Sequence, residues 1–218
     1  MGRLAAGIVA GSAVYGFAIG WIHSPGQACR SAVKFPLLIG LTCGLCVVSY
    51  YLLCQFVTRA LTMGAVWRLT LRVFSGTALL LASLSPAVFF TACVAERPDL
   101  TGLNEYPFFL GFNVALIAVS GTVALVREGR ALMRRHRLSR RAAQAVLLMW
   151  LAVSLFAGGQ CAWYLRPFFG PSTMEAMPFI AGSAPDMRGA TSFYEAVYHL
   201  VDPPPLPRDY HRHPSRGR

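Results

Sequence analysis

The sequence predicts an all-α fold: a polytopic membrane bundle of about five transmembrane helices, followed by an extramembrane C-terminal tail. Three observations lead to this prediction. Of the 218 residues, 55% are hydrophobic and only 13% are charged, whereas soluble domains carry about 25% charged residues. Residues 142–165 form an uncharged run of 24 residues, which crosses a hydrocarbon layer of roughly 30 Å as a helix. Seven arginines at residues 127–141 precede this run and four aromatic residues at 163–169 end it, an asymmetry typical of a membrane span.

The first predicted domain, residues 1–22, is a glycine-rich transmembrane helix. Residues 4–22 carry no charge, and their glycines form two GxxxG pairs, a spacing that lets helices approach closely in lipid. An interfacial helix and a cleaved signal peptide are the alternatives, the latter because Arg3 precedes the apolar run. The run is longer than an ordinary signal-peptide core, so we favour a retained span. The glycines predicted to pack against other helices are Gly7, Gly11, Gly16 and Gly20.

The second predicted domain, residues 23–171, holds the other four spans. A loop is expected at residues 23–34, because its Ser-Pro-Gly sequence favours a turn. The polar stretch at residues 96–105 is expected to connect two spans as a hairpin outside the membrane. The four spans are predicted at residues 35–57, 73–95, 106–126 and 142–165.

Proline and amide residues interrupt these apolar spans. Pro36 fits the first turn of its span, where its missing N–H would have had no partner. Pro86 lies inside the following span and is expected to kink it. Asn113 and Gln160 are predicted to form hydrogen bonds between helices, because an unpaired amide in lipid is unfavourable.

The remaining residues, 172–218, are predicted to form the extracytoplasmic tail. Residues 191–201 have the pattern of a short amphipathic helix, with Thr191 or Ser192 as its N-cap. The end of the tail is rich in proline and arginine, a composition that excludes regular structure.

The arginine-rich stretch at residues 127–141 is predicted to contact anionic lipid headgroups, at about 1 kcal/mol for each residue near the surface. It is also expected to continue the preceding helix, since Gly129 is its only helix breaker. Docking to an acidic cytosolic partner is an alternative. Nucleic acid is not expected as a partner, because no aromatic residues for base stacking interleave with the charges. The arginines are Arg127, Arg130, Arg134, Arg135, Arg137, Arg140 and Arg141.

Basic residues are distributed unevenly between the two sides of the predicted spans. Eleven lie near the spans on one side and four on the other. The positive-inside rule places the richer side in the cytoplasm. We therefore expect a bacterial cytoplasmic (inner) membrane protein with a cytoplasmic N-terminus and an extracytoplasmic C-terminus.

Arg166 directly follows the last span, between Trp163 and Phe168. These three residues are predicted to contact lipid or a partner. The Arg166 guanidinium is expected either to reach phosphate headgroups or to pair with a carboxylate such as Glu105.

The sequence offers no residue set for a reaction inside the membrane. All nine acidic residues lie outside the predicted spans, so no carboxylate is available there as a base or proton carrier. Cys43 and Cys46 form a CxxC pair, but the pair is surrounded by apolar residues, which favours packing over metal or redox chemistry. We expect no enzyme activity, no metal and no cofactor.

Three stretches of the chain carry a resemblance to a group of bacterial multi-pass membrane proteins with no established activity. Members share a Gln-x-x-Trp-x-Leu-Arg-Pro-Phe signature and are sometimes labelled actin-binding; the layout is also loosely similar to Yip-family membrane proteins. The resemblance covers roughly residues 13–201 and implies five spans and no particular chemistry. Its residues are Lys34, Pro36, Leu37 and Leu38, then Ala82, Ser83, Leu84 and Pro86, and finally Gln160, Trp163, Leu165, Arg166, Pro167 and Phe168.

These observations favour a non-catalytic membrane subunit that packs against or stabilises a larger membrane complex, with other membrane subunits as partners. A transporter or channel component is the alternative, suggested by the helix interruptions at Pro86 and at residues 158–159. An intramembrane enzyme acting on lipid or peptide is the third hypothesis, which the lack of a base at membrane depth disfavours.

Overall fold

The computed structural model describes residues 1–58, 61–95, 105–168, 179–180 and 190–201. Within these residues the chain is helical, and five of its helices are long and apolar enough to cross a membrane. The predicted all-α fold with five spans is therefore confirmed. The polar hairpin after residue 95 and the proline-rich end of the tail lie outside the described residues. The helices are α1 (Gly2–Gly20), α2 (Pro25–Val57), α3 (Met63–Ala95), α4 (Glu105–Arg135), α5 (Arg140–Leu165) and α6 (Phe193–Val201).

Helix α2 begins before the predicted span, so the expected loop at residues 23–34 is wrong. Ser24 has an extended backbone and accepts a hydrogen bond from the Gln27 N–H at 3.1 Å. Pro25 then occupies the first helical position, where its fixed φ favours the helix and its missing N–H has no cost. The Ser-Pro-Gly sequence therefore starts the helix, and Pro36 lies inside it.

Helices α3 and α4 extend beyond their predicted spans on the arginine-rich side of the bundle. Helix α3 begins at Met63 rather than residue 73, and α4 ends at Arg135 rather than residue 126. Arginine has a high helix propensity, so the chain stays helical after leaving the hydrocarbon layer. Helix α3 also continues through Pro86 to Ala95.

A tight turn at residues 136–139 ends α4, so the arginine-rich stretch is not one continuous helix. The Leu138 N–H bonds to the Met133 carbonyl at 3.2 Å, and the Arg137 N–H bonds to the Arg134 carbonyl at 3.2 Å. Arg137 has a φ of 50°. This is the hydrogen-bond pattern of a Schellman motif, with arginine in the left-handed position that glycine usually takes. Ser139 then caps α5.

Helix α1 lies between α2 and α3 and packs closely against both. A Cβ added at Gly11 would lie 2.7 Å from the Ala78 carbonyl oxygen in α3. One added at Gly20 would lie 2.7 Å from the Ala28 Cα in α2, and Gly16 faces α2 in the same way. Glycine lets these backbones approach within distances that a side chain would prevent.

The outer helices pack on either side of this group, α4 mainly against α3 and α5 mainly against α2. The Trp150 indole of α5 stacks on Tyr50 of α2 with ring centroids 5.0 Å apart and donates to the Tyr50 carbonyl at 3.1 Å. Tyr15 of α1 donates to the Asn113 side-chain oxygen of α4 at 2.9 Å. Buried polar contacts thus connect helices that are distant in sequence.

The short helix α6 packs against the second half of α5. Ser192 is its N-cap and accepts from the Glu195 N–H at 3.3 Å, which agrees with one of the two predicted caps. The Phe193 ring lies over Gly159, where an added Cβ would be 2.8 Å from its Cδ1. The Tyr194 hydroxyl donates to the Leu155 carbonyl at 3.0 Å. These contacts fix α6 to the bundle.

Candidate functional site

Three polar side chains of α2 lie together at the end of the bundle where α1 and α5 end and α2 begins, called here the aromatic end. Gln27, Ser31 and Lys34 are spaced four and three residues apart, so they share one face of the helix. All three are buried. They face the chain immediately after α5.

These side chains bond to two consecutive backbone carbonyls and form what we call the carbonyl clamp. Lys34 Nζ donates to the Pro167 carbonyl at 2.8 Å. Gln27 Nε2 donates to the Pro167 carbonyl at 3.1 Å and to the Phe168 carbonyl at 3.3 Å. The Ser31 hydroxyl also donates to the Phe168 carbonyl. The carbonyls follow the end of α5 and have no partner within that helix.

Lys34 has no exposed surface. Its ammonium lies 4.8 Å from the centroid of the Phe179 ring, and no carboxylate of the described residues lies within ion-pair distance of it. A buried charge of this kind is expensive unless hydrogen-bonded, and near a membrane it usually marks a function or a specific structural contact. Here the clamp carbonyl and the aromatic ring stabilise it.

Aromatic rings close the clamp from the side of α1. The Phe35 and Phe168 ring centroids are 5.7 Å apart, and those of Tyr15 and Phe35 are 5.2 Å apart, both edge to face. Because Tyr15 also bonds to Asn113, the packing runs from α4 through α1 and α2 to the chain after α5. The clamp is therefore joined to the bundle rather than resting on it.

Arg166 and Trp163 also lie at the aromatic end and contact each other. The Arg166 guanidinium carbon is 3.6 Å from the Trp163 ring centroid, a cation–π contact, and its Nε donates to the Trp163 carbonyl at 3.2 Å. Trp163 is only 5% exposed, and its indole N–H has no hydrogen-bond partner in the described part of the chain. The suggested pairing with Glu105 involves a side chain outside the described residues.

The structure places the residues predicted for helix packing in different surroundings. Gly11, Gly16 and Gly20 lie at the close backbone contacts of α1, and Asn113 bonds to Tyr15. Gly7 has more room, since an added Cβ would lie 3.4 Å from the Ser75 hydroxyl. Gln160 is half-buried on α5, where no hydrogen bond joins it to another described residue.

The predicted lipid-contact arginines lie at the opposite end, where α3 and α5 begin and α4 ends, called here the basic end. Two cavities open between the helices there. One, of about 140 Å³, lies between α3 and α4 and includes Arg135. The other, of about 410 Å³, lies between α4 and α5 and includes Arg130, Arg134 and Arg140. Arg127 pairs with Glu128 at 3.1 Å, Arg137 lies in the turn, and Arg141 is exposed in the first turn of α5.

Lys34, Arg68 and Arg72 were not predicted as individual site residues, although they entered the count of basic residues that predicts the orientation. Their helical spacing was the available signal. Lys34 shares a face with Gln27 and Ser31 once α2 is extended back to Pro25, and Arg68 and Arg72 share a face once α3 is extended back to Met63. Because the starts of α2 and α3 were predicted too late, neither group of residues could be recognised from the sequence.

Metal-binding residues do not cluster in the described part of the chain, where no group of three His, Cys, Asp or Glu side chains lies close enough to hold an ion. Cys43 and Cys46 are free thiols buried in α2. Both thiols belong to the packed hydrophobic core.

The five long apolar helices define a multi-pass helical membrane protein. No family model, curated protein or solved structure matches the chain. The resemblance based on the Lys34 and Gln160–Phe168 stretches stays a prediction. The carbonyl clamp brings two of its three stretches into contact, because Lys34 bonds to Pro167.

Proposed function

We propose that this protein is a non-catalytic integral membrane subunit that packs against or stabilises a larger membrane complex. The supporting observation is that buried threonine, asparagine and tyrosine side chains of the helices bond to their own chain. Thr42, Thr70 and Thr77 donate to carbonyls one turn earlier at 2.8–2.9 Å. Asn113 of α4 accepts from Tyr15 of α1, and Tyr50 of α2 bonds to Ser154 of α5. Groups with such partners stabilise a bundle and are not positioned for substrate.

The surface of α5 and α6 favours a partner at the aromatic end. Phe156 is 62% exposed and stacks on Tyr194, with ring centroids 6.2 Å apart, while Tyr198 is 60% exposed. Aromatic residues with polar tips are enriched where helices meet partners or the membrane surface. Helix α6 widens this surface beyond the lipid-facing side of α5.

Photo-crosslinking in native membranes tests the subunit proposal. A photoreactive residue is placed at Phe156, and matched controls at Val9 of α1 and Val119 of α4, which are 56% and 61% exposed. We expect a discrete protein adduct from Phe156 that mass spectrometry identifies, and mainly lipid adducts from the controls. Lipid adducts alone at all three positions, together with a monomer in polymer-extracted membrane particles, would contradict the proposal.

We also propose that the basic end faces the cytoplasm of a bacterial inner membrane and the aromatic end faces outward. The exposed arginines at the basic end support this orientation through the positive-inside rule. Cys29 and Cys93 are exposed and lie at the aromatic end. In intact spheroplasts, a membrane-impermeant maleimide should label these two thiols.

The matched control is Arg137→Cys in a background where Cys29 and Cys93 are serine. This thiol lies in the turn at the basic end and should react only after permeabilisation. The opposite labelling pattern would reverse the orientation without affecting the subunit proposal.

A further inference from the structure

The smaller cavity at the basic end, called here the α3–α4 groove, has the lining of an anion site. It lies where the first turns of α3 run antiparallel to the last turns of α4, beyond the predicted spans of both helices. The groove is therefore at the level of lipid headgroups rather than of hydrocarbon chains.

Three guanidinium groups surround the groove. Arg68 and Arg72 come from successive turns of α3, and Arg135 comes from the last turn of α4. All three are exposed. Their planar forks suit the bidentate binding of phosphate oxygens, and His136 adds a further donor at the rim.

Glu128 is the one carboxylate in the lining of the groove. Its Oε1 accepts two hydrogen bonds from Arg127, at 3.1 Å from Nη2 and 3.3 Å from Nε. Arg127 thus neutralises the residue that would repel an anion. The lining keeps a net positive charge.

The size and the other walls of the groove narrow the chemistry of its ligand. One water molecule needs about 10–15 Å³ of such a cavity, so the volume of about 140 Å³ leaves room for a phosphate group. Ala65, Leu69 and Leu132 supply the apolar part of the lining beside the arginines. A group with a phosphate and an adjoining apolar part would contact both kinds of surface.

We propose that the α3–α4 groove binds a phosphate group, with an anionic phospholipid headgroup as the expected source. Basic pockets between transmembrane helices on the cytoplasmic side suit such headgroups. The groove would bind phosphate whether or not the protein joins a larger complex. It also differs from diffuse attraction to the arginine-rich stretch, because two of its three arginines come from α3.

Lipid binding by single-arginine variants tests this proposal. The full chain in phosphatidylcholine nanodiscs is titrated with phosphatidic acid or phosphatidylglycerol, and in detergent micelles with inorganic phosphate. Arg68→Gln and Arg135→Gln should each weaken binding about tenfold, the effect of losing one charge-assisted hydrogen-bond pair. Arg3→Gln is the matched control, since it removes the same charge at the basic end outside the groove, and should change binding less than about twofold.

Arg134→Gln separates a defined site from general attraction, because Arg134 neighbours Arg135 but lines the other cavity. Losses at Arg68 and Arg135 with lipid alone identify a headgroup site, and the same losses with inorganic phosphate show that the phosphate group suffices. Equal losses for Arg134→Gln or Arg3→Gln, or no loss at Arg68 and Arg135, would overturn the proposal. Circular dichroism melting verifies folding. A glutamine variant that aggregates is replaced by lysine, which keeps the charge but not the bidentate fork and should give a smaller, measurable loss.

Discussion

The two ends of the bundle use their basic residues in opposite ways. At the aromatic end, Lys34 is fully buried and bonded to the carbonyl clamp. At the basic end, Arg68, Arg72 and Arg135 are exposed around an open groove. A count of basic residues on each side of the membrane does not distinguish the buried lysine from the exposed arginines. The difference arises because the carbonyls after α5 have no partner within their own helix and accept from α2, whereas the Schellman turn after α4 already satisfies the carbonyls at its own end.

Adding a methyl group at Gly20 should have the largest effect, because the aromatic end is closely packed. An alanine Cβ there would lie 2.7 Å from backbone atoms of Ala28 and Gln27, so α1 and α2 must separate and disturb the clamp. We expect Gly20→Ala to lower the free energy of unfolding by about 1–3 kcal/mol.

Gly7→Ala is the matched change nearer the basic end, where the neighbouring atom is a serine hydroxyl at 3.4 Å. Its effect should stay within about 0.5 kcal/mol. Reversible unfolding in mixed detergent micelles measures both variants. Similar losses for the two would show that the ends do not differ in packing.

Lys34→Met should destabilise the protein by about 1–2 kcal/mol, because the Pro167 carbonyl loses its charged donor and keeps only Gln27. Val33→Met is the control, since it introduces the same residue at the adjacent position, which is 58% exposed, and should have little effect. The same unfolding assay applies. A stabilised Lys34→Met variant would mean that burying the ammonium costs more than the clamp gains.

Arg137→Gly should stabilise the basic end by about 1 kcal/mol, because a left-handed conformation costs a residue with a Cβ about that much. Arg134→Gly, in the last helical turn of α4, should have the opposite sign, since glycine weakens a helix. Opposite shifts in melting temperature would show that backbone geometry and not charge is responsible. Shifts of the same sign would contradict this interpretation.

The smallest expected effect is a pH dependence of the hydrogen bonds at the start of α6. The Thr191 N–H and hydroxyl donate to Glu195 Oε2 at 2.7 and 2.9 Å, and these bonds hold the pKa of Glu195 below its ordinary value. Because the folded pKa is the lower one, this stabilisation is present at neutral pH and is lost as pH falls through it. Hydrogen-exchange protection of the Thr191 amide should decrease on acidification in the parent protein. In Glu195→Gln, it should be low and independent of pH.

The sequence was sufficient to predict five spans, because uncharged runs of membrane length have few alternative structures in lipid. Three of the four predicted α1 glycines lie at close backbone contacts, and one of the two predicted caps of α6 is correct. The starts of α2 and α3 were wrong for the same reason: helical chain continues outside the hydrocarbon layer, and hydropathy does not detect it. The Ser24-Pro-Gly sequence is compatible both with a turn and with the start of a helix, and only the helical chain that follows distinguishes the two structures.

The candidate sites were harder to predict because they depend on contacts between distant residues. Lys34 and Pro167 are 133 residues apart in the chain, and nothing local in either stretch indicates a hydrogen bond between them. To predict the α3–α4 groove, one would likewise need to know which faces of the extended ends of α3 and α4 meet. Gln160 illustrates the reverse case, because an amide expected to bond across helices makes no such bond among the described residues.

The position of α1 has a practical consequence for anyone expressing this protein. A gene shortened to begin at Ser24, on the assumption that a leader has been removed, would still encode four segments of adequate length for insertion. The backbones of Ala28 and Ala78, which contact the α1 glycines, would then be exposed to lipid. Helices α2 and α3 would also lose the helix that packs between them. Expression of this protein should therefore retain the first helix.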